Sequence, residues 1–145
     1  MSTTAKRATT TASLLLAAVA LTLLTGLASR SERVDREITL VARDMAFWLG
    51  DAKNPDIVVA PGEAVRVRLV NREPGVEHDF VAPALGLRTR LLDHGETDSV
   101  VLRGDQLARR AADGPLEYRC SLHPVLMRGR LAPASTGRSD PSSDR

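Results

Sequence analysis

A single cysteine, Cys120, stands in the 145-residue chain, and only four residues are Phe, Tyr or Trp. The lone thiol excludes an intrachain disulfide, so no covalent staple holds the fold. With so few aromatics, the core has to be built mainly from Val, Leu and Ile. There is no internal repeat, no coiled-coil heptad run and no Gly-rich loop between a strand and a helix. These absences exclude a solenoid, a long coiled coil and a phosphate cradle of the strand-loop-helix kind.

Acidic residues are also missing before Glu32. Lys6 and Arg7 precede the apolar run Ser13 to Ala28, the layout of a secretory signal, with Gly26 and Ala28 suited to cleavage just after Ala28. An uncleaved anchor is the alternative, although the run is shorter than the roughly 20 residues a spanning helix prefers. Both readings place the rest of the chain outside the cytoplasm. Whole-chain charge is +2, from 20 Lys and Arg against 18 Asp and Glu; without Lys6 and Arg7 the balance is 18 against 18. A neutral mature chain with scattered arginines gives no support for a nucleic-acid partner. Arg66, Arg68, Arg88, Arg90, Arg103, Arg109 and Arg110 read as solvated surface, and the sequence does not gather them into a patch.

What is present is short alternation. Glu37 to Arg43 alternates and is rich in β-branched residues, and Val65, Val67 and Leu69 alternate with Arg66 and Arg68. Further strands are expected at Asp56 to Ala60, Glu77 to Ala82, Thr97 to Leu102, Leu116 to Cys120 and Met127 to Ala132, with Pro61-Gly62 and Asp93 to Glu96 as turns. Gly104 to Ala112 is expected to form a short helical turn. Six to eight short strands in about a hundred residues predict an all-β, antiparallel sandwich or small barrel. The expected divisions are residues 1–28 as signal peptide or membrane anchor, 29–36 as tether, 37–133 as the domain and 134–145 as a disordered tail.

The chemistry concentrates between the last two strands. Cys120, His123 and Met127 place a thiolate, an imidazole and a thioether within eight residues of one loop. These soft and borderline donors suit copper. A site of two His and one Cys with a long axial Met needs another imidazole, and His78, at a strand edge after a Pro-Gly loop, is the best candidate. His94 sits in a turn and reads as exposed, and Met45, near Phe47 and Trp48, as core.

The stretch Tyr118-Arg119-Cys120-Ser121-Leu122-His123, with Met127 and Gly129 beyond it, resembles the ligand loop of the cupredoxins, the small blue copper proteins of the plastocyanin and amicyanin type. Asn71 followed by His78-Asp79-Phe80 resembles the family's upstream histidine element, and Pro61-Gly62-Glu63 and Gly95-Glu96-Thr97 resemble its turns. The resemblance covers about Glu37 to Pro133. It implies an all-β, antiparallel Greek-key β-sandwich, cupredoxin-like, holding one copper ion through His78, Cys120, His123 and Met127. Three residues separate His123 from Met127, whereas amicyanin-like loops place two there and plastocyanin-like loops four. The axial position thus stays open between Met127, a backbone carbonyl and no ligand.

The implied function is one-electron transfer by an exported, monomeric protein, not an enzyme, to a redox partner protein. The alternative with the same ligands is copper binding for delivery or homeostasis, with a copper donor or acceptor as partner. Two other readings compete: a Cys120-His123 nucleophile and base, which lacks a clear third orienting group, and a structural zinc site.

Overall fold

The computed structural model describes residues 33–135, and the expected signal or anchor (1–28) and the tail beyond residue 135 lie outside the described residues. In chain order the strands are β1 (Arg36–Arg43), β2 (Ala46–Leu49), β3 (Ala52–Lys53), β4 (Ile57–Val59), β5 (Ala64–Asn71), β6 (Val81–Ala82), β7 (Leu87–Arg88), β8 (Thr97–Arg103), β9 (Leu116–Arg119) and β10 (Arg128–Pro133). A 3-10 turn at Pro83–Leu85 and a helix, α1 (Gly104–Ala111), complete the described elements. Among these residues no helix is long and apolar enough to cross a membrane.

Alternation along the strands produces the layers. In β5, Val65, Val67 and Leu69 are fully buried while Arg66 and Arg68 lie on the opposite, more exposed face. One five-stranded sheet runs β3-β2-β1-β5-β8 and the other β4-β10-β9-β6-β7. Their inner faces supply Leu40, Phe47, Val65, Leu69, Leu102, Phe80, Tyr118 and Leu131 to one core. The architecture is the expected β-sandwich, with mixed sheets: β1 pairs with β5 in parallel, as does β4 with β10, while the remaining strand pairs are antiparallel. Those parallel pairs arise because the chain crosses between sheets and returns beside a strand laid down earlier.

The strand expected over Glu77 to Ala82 is shorter in the structure, because only Val81–Ala82 joins a ladder and His78 makes an isolated bridge to Leu92. The polar residues before Val81 are used for side-chain contacts instead. The Gly104 segment does form a helix, and its Leu107 is fully buried against the sandwich.

The turn between β4 and β5 meets the start of α1 very closely. Gly104 donates its N–H to the Glu63 carbonyl at 2.9 Å, and a Cβ at Gly104 would sit 1.8 Å from the Ala60 carbonyl oxygen. Gly104→Ala is therefore expected to destabilise the fold by about 1–3 kcal/mol or more, read as a lower denaturant midpoint. Glu63 also accepts bonds from the Arg36 guanidinium and the Ala60 N–H. These contacts, Arg36 first, hold its carboxyl below the ordinary value. A carboxyl lowered in the folded state adds stability above its unfolded pKa, and that stability is lost as pH falls through the folded value. Acid unfolding of Glu63→Gln should accordingly show less loss across the acidic range than the parent protein.

Candidate metal centre

The site is assembled from two segments brought to one end of the sandwich. The first follows β5. Asn71, fully buried, donates through Nδ2 to the carbonyls of Val76 at 2.7 Å and Leu92 at 2.8 Å, and accepts the Glu73 N–H at 2.8 Å. That fixes the loop after β5 and sets His78 on its bridge to Leu92. Glu73 Oε2 accepts the Met45 N–H at 3.0 Å and lies 2.9 Å from His78 Nε2. A carboxylate acceptor keeps the proton on Nε2, which leaves the Nδ1 lone pair facing inward. Burial alone would raise the Glu73 carboxyl, but the bonds from Met45 and His78 outweigh it and the group stays ionised below its ordinary pKa.

The second segment is the loop from β9 to β10. Cys120 donates its N–H to the Met127 carbonyl at 3.0 Å, and Met127 and Leu126 donate theirs to the His123 carbonyl at 2.9 and 3.2 Å. Asn54 pins the outside of the loop, giving Nδ2 to the Leu126 carbonyl at 2.9 Å while its Oδ1 accepts the Phe47 N–H at 3.0 Å. Asp79 ties the two segments together: its carboxylate accepts the Ser121 N–H at 2.6 Å and the Ser121 hydroxyl at 2.7 Å. Below lies an aromatic floor, with Tyr118 stacked on Phe80 at 5.0 Å and Phe47 at 5.3 Å from Tyr118. Tyr118 is held by donating its hydroxyl to the Pro55 carbonyl at 2.6 Å. A Cβ at Gly129 would come within 2.5 Å of the Tyr118 ring, so only glycine fits opposite it.

The result is a convergent donor set. Cys120 Sγ lies 3.8 Å from His78 Nδ1 and 3.6 Å from His123 Nδ1. One ligand atom from each of the three residues falls within 4.8 Å of the others. His78, Cys120 and Met127 are fully buried and His123 is half-buried. Burial pushes the Cys120 thiol up, against the backbone N–H groups of Asp79, Leu122 and His123 that favour the thiolate. A bound cation would supply the missing compensation. With two inward imidazole nitrogens, one thiol and no hard oxygen ligand among them, the set fits a copper ion better than calcium or magnesium.

Among the sequence-stated candidates, the structure gathers His78, Cys120 and His123, and it buries Met127 at the end of the same loop. His94 is exposed on its turn. Three contributors were not singled out from the sequence: Glu73, Asp79 and Asn54. Asp79 had a readable signal, since it follows His78 directly and its partner Ser121 follows Cys120 directly. Asn54 had none, because its contact lies 72 residues away in the chain.

Two sheets closed by this Cys-to-Met loop have the cupredoxin fold. Reduced rusticyanin matches at TM-score 0.51 and 15% identity, over 70% of this chain and 81% of that one. Rusticyanin from Thiobacillus ferrooxidans matches at TM-score 0.50 and 16% identity, over 70% and 79%. Auracyanin B matches at TM-score 0.50 and 20% identity, over 70% of this chain and 90% of that one. No family model and no curated protein sequence matches the chain.

Replacing Asp79 tests the tie between the two halves. Asp79→Ala should cost about 1–3 kcal/mol, because it removes two charge-assisted hydrogen bonds from Ser121 and the contact with Arg88. Asp79→Asn should cost much less, since the amide oxygen accepts the Ser121 N–H and the hydroxyl rotates to accept from the amide nitrogen. Equilibrium unfolding of the two metal-free variants checks the difference.

Proposed function

We propose that this chain is an exported copper protein that carries electrons one at a time through a site made of His78, Cys120, His123 and Met127. The observation that supports it most is the approach of Cys120 Sγ to both Nδ1 atoms within a buried loop whose two ends are hydrogen-bonded to each other. A copper ion at this position would supply a reversible one-electron couple, Cu(II) plus an electron giving Cu(I). The residues would do the rest. His78 is oriented by Glu73, Cys120 by the strand end and the Met127 carbonyl, and His123 by the turn it caps. With each ligand so constrained, little rearrangement would accompany gain or loss of the electron.

His123 is the half-buried ligand, and around it Leu122, Val125 and Leu126 are exposed, Val125 at 78%. This apolar collar would exclude water from a contact made at the histidine edge. Met127 would offer a thioether as the fourth donor, a role supported by its burial and by its backbone bond into the same loop. Export rests on the layout of residues 1–28.

The delivery alternative keeps the same ligands. Complete burial of three of them favours retention, since an ion handed to a partner needs an open route for ligand exchange. The nucleophile reading is disfavoured by the Cys120 thiol itself, which burial pushes up, away from the thiolate such chemistry uses.

The copper-loaded protein should show an intense visible thiolate-to-copper band that bleaches and returns on reduction and reoxidation. Cys120→Ser should abolish the band and lower copper affinity by more than the roughly 10–100-fold expected from losing a residue that only orients a ligand. An unchanged spectrum would sink the assignment. Rapid loss of copper to a competing chelator, with no reversible reduction, would transfer the site to delivery.

A further inference from the structure

The register of the second sheet brings together arginines that the sequence leaves far apart. Arg128 of β10 stands directly opposite Arg119 of β9. Arg119 stands opposite Val81 of β6, and Val81 opposite Arg88 of β7. Arg128, Arg119, Val81 and Arg88 therefore form one row across four adjacent strands, with neighbouring strands about 4.8 Å apart. The flanking residues Tyr118, Cys120, Met127, Phe80, Ala82 and Thr89 are buried, so the row faces outward, and all three arginines are exposed.

Like charges directly opposite each other on a sheet face are unfavourable. Here the unfavourable pair is uncompensated. Among the described residues, neither Arg119 nor Arg128 makes an ion pair. Arg88 reaches the buried Asp79 at 3.6 Å, but two thirds of its side chain remains exposed. One row further from the ligand loop the charges are matched: Glu117 faces Arg130, and Arg130 pairs with Asp56. Positive charge is thus concentrated at the edge that adjoins the site. Arg119 directly precedes Cys120 and Arg128 directly follows Met127.

We propose that this arginine row is the docking surface for an acidic protein that exchanges electrons with the copper. The part concerning electron exchange rests on the function proposed above. Charge complementarity selects the partner, and position selects its purpose: a carboxylate-bearing surface seated on the row lies one peptide unit from the Cys120 sulfur's residue. An electron passing this way reduces Cu(II) to Cu(I) as the partner is oxidised, or the reverse, with no other reactant. A nucleic acid is the less suitable anion, because the chain beyond residue 28 carries 18 basic against 18 acidic residues and the row is three arginines long.

Arg119→Glu is the informative variant, because it places a carboxylate opposite Arg128. Replacing a repulsive pair by an attractive one should leave the metal-free protein as stable as the parent or more so. Its anion recognition should be lost. In the metal-free, isotope-labelled parent, hexacyanochromate(III) should broaden backbone amide signals of Val81, Arg88, Arg119 and Arg128 more than any others, and Arg119→Glu should remove that footprint. In the copper(I) forms, oxidation by hexacyanoferrate(III) at low salt should be at least about tenfold slower for Arg119→Glu, with the gap closing at high salt. Oxidation by the tris(phenanthroline)cobalt(III) cation should not slow.

A footprint centred elsewhere overturns the row as a docking surface. A footprint on the row with equal hexacyanoferrate rates for parent and variant overturns its part in electron exchange. The footprint needs no copper, so a parent protein without the visible band would refute the proposed function while leaving the row itself tested. Displacement of the footprint by a short DNA duplex at about physiological salt would assign the row to nucleic acid and overturn the acidic-protein partner.

Discussion

The bond from the Cys120 N–H to the Met127 carbonyl, 3.0 Å long, is the constraint on which the site depends. It extends the β9–β10 ladder by one step, so the residues between must form a closed loop rather than a free excursion. Within that loop the His123 carbonyl accepts two N–H groups, from Leu126 and Met127. A three-residue separation between His123 and Met127 is thereby absorbed in a tight turn. The residues pushed outward are Val125 and Leu126, both exposed, while Met127 returns to full burial.

A closed loop alone would not bring His78 to Cys120. Buried polar groups do that, and each is satisfied by a named partner. Asn71 holds the loop after β5, Glu73 orients the imidazole, and Asp79 fastens the His78 segment to Ser121. Among the described residues no buried side-chain nitrogen or oxygen lacks a hydrogen bond. Such a network specifies geometry because breaking any one contact leaves a desolvated group behind. Its members come from sequence-distant segments, so the preorganisation of the donors belongs to the sandwich as well as to the loop.

Much of this was legible from local pattern. Alternation in Glu37 to Arg43 and in the Val65 strand identified the sheets, and the Cys-x-x-His spacing with Met127 identified the loop, because both patterns are short-range consequences of strand and turn geometry. His78 could be named only by elimination and by family resemblance, and the structure places its Nδ1 beside the sulfur. The shortened β6 was not legible. Glu77 to Ala82 has strand propensity, but His78 and Asp79 spend their side chains on the site, and propensity yields to those tertiary contacts. Parallel pairing of β1 with β5 and β4 with β10 was hidden for a different reason: crossover order leaves no local mark.

The arginines show where reading by sequence neighbourhood stops and register takes over. Arg88, Arg119 and Arg128 are separated by 31 and 9 positions in the chain, and no window along the sequence joins them. Strand pairing aligns them, and the same pairing makes two of them repel. A surface free of functional demand is easily relieved of such a conflict, since an acidic residue at either position of the β9–β10 pair would turn repulsion into attraction. Away from the site that arrangement is the one found, with Glu117 opposite Arg130 on the same two strands. The contrast between the two rows, one matched and one not, follows distance from the ligand loop. Local rules broken beside a preorganised site, and kept one row away from it, point to a demand made by the site.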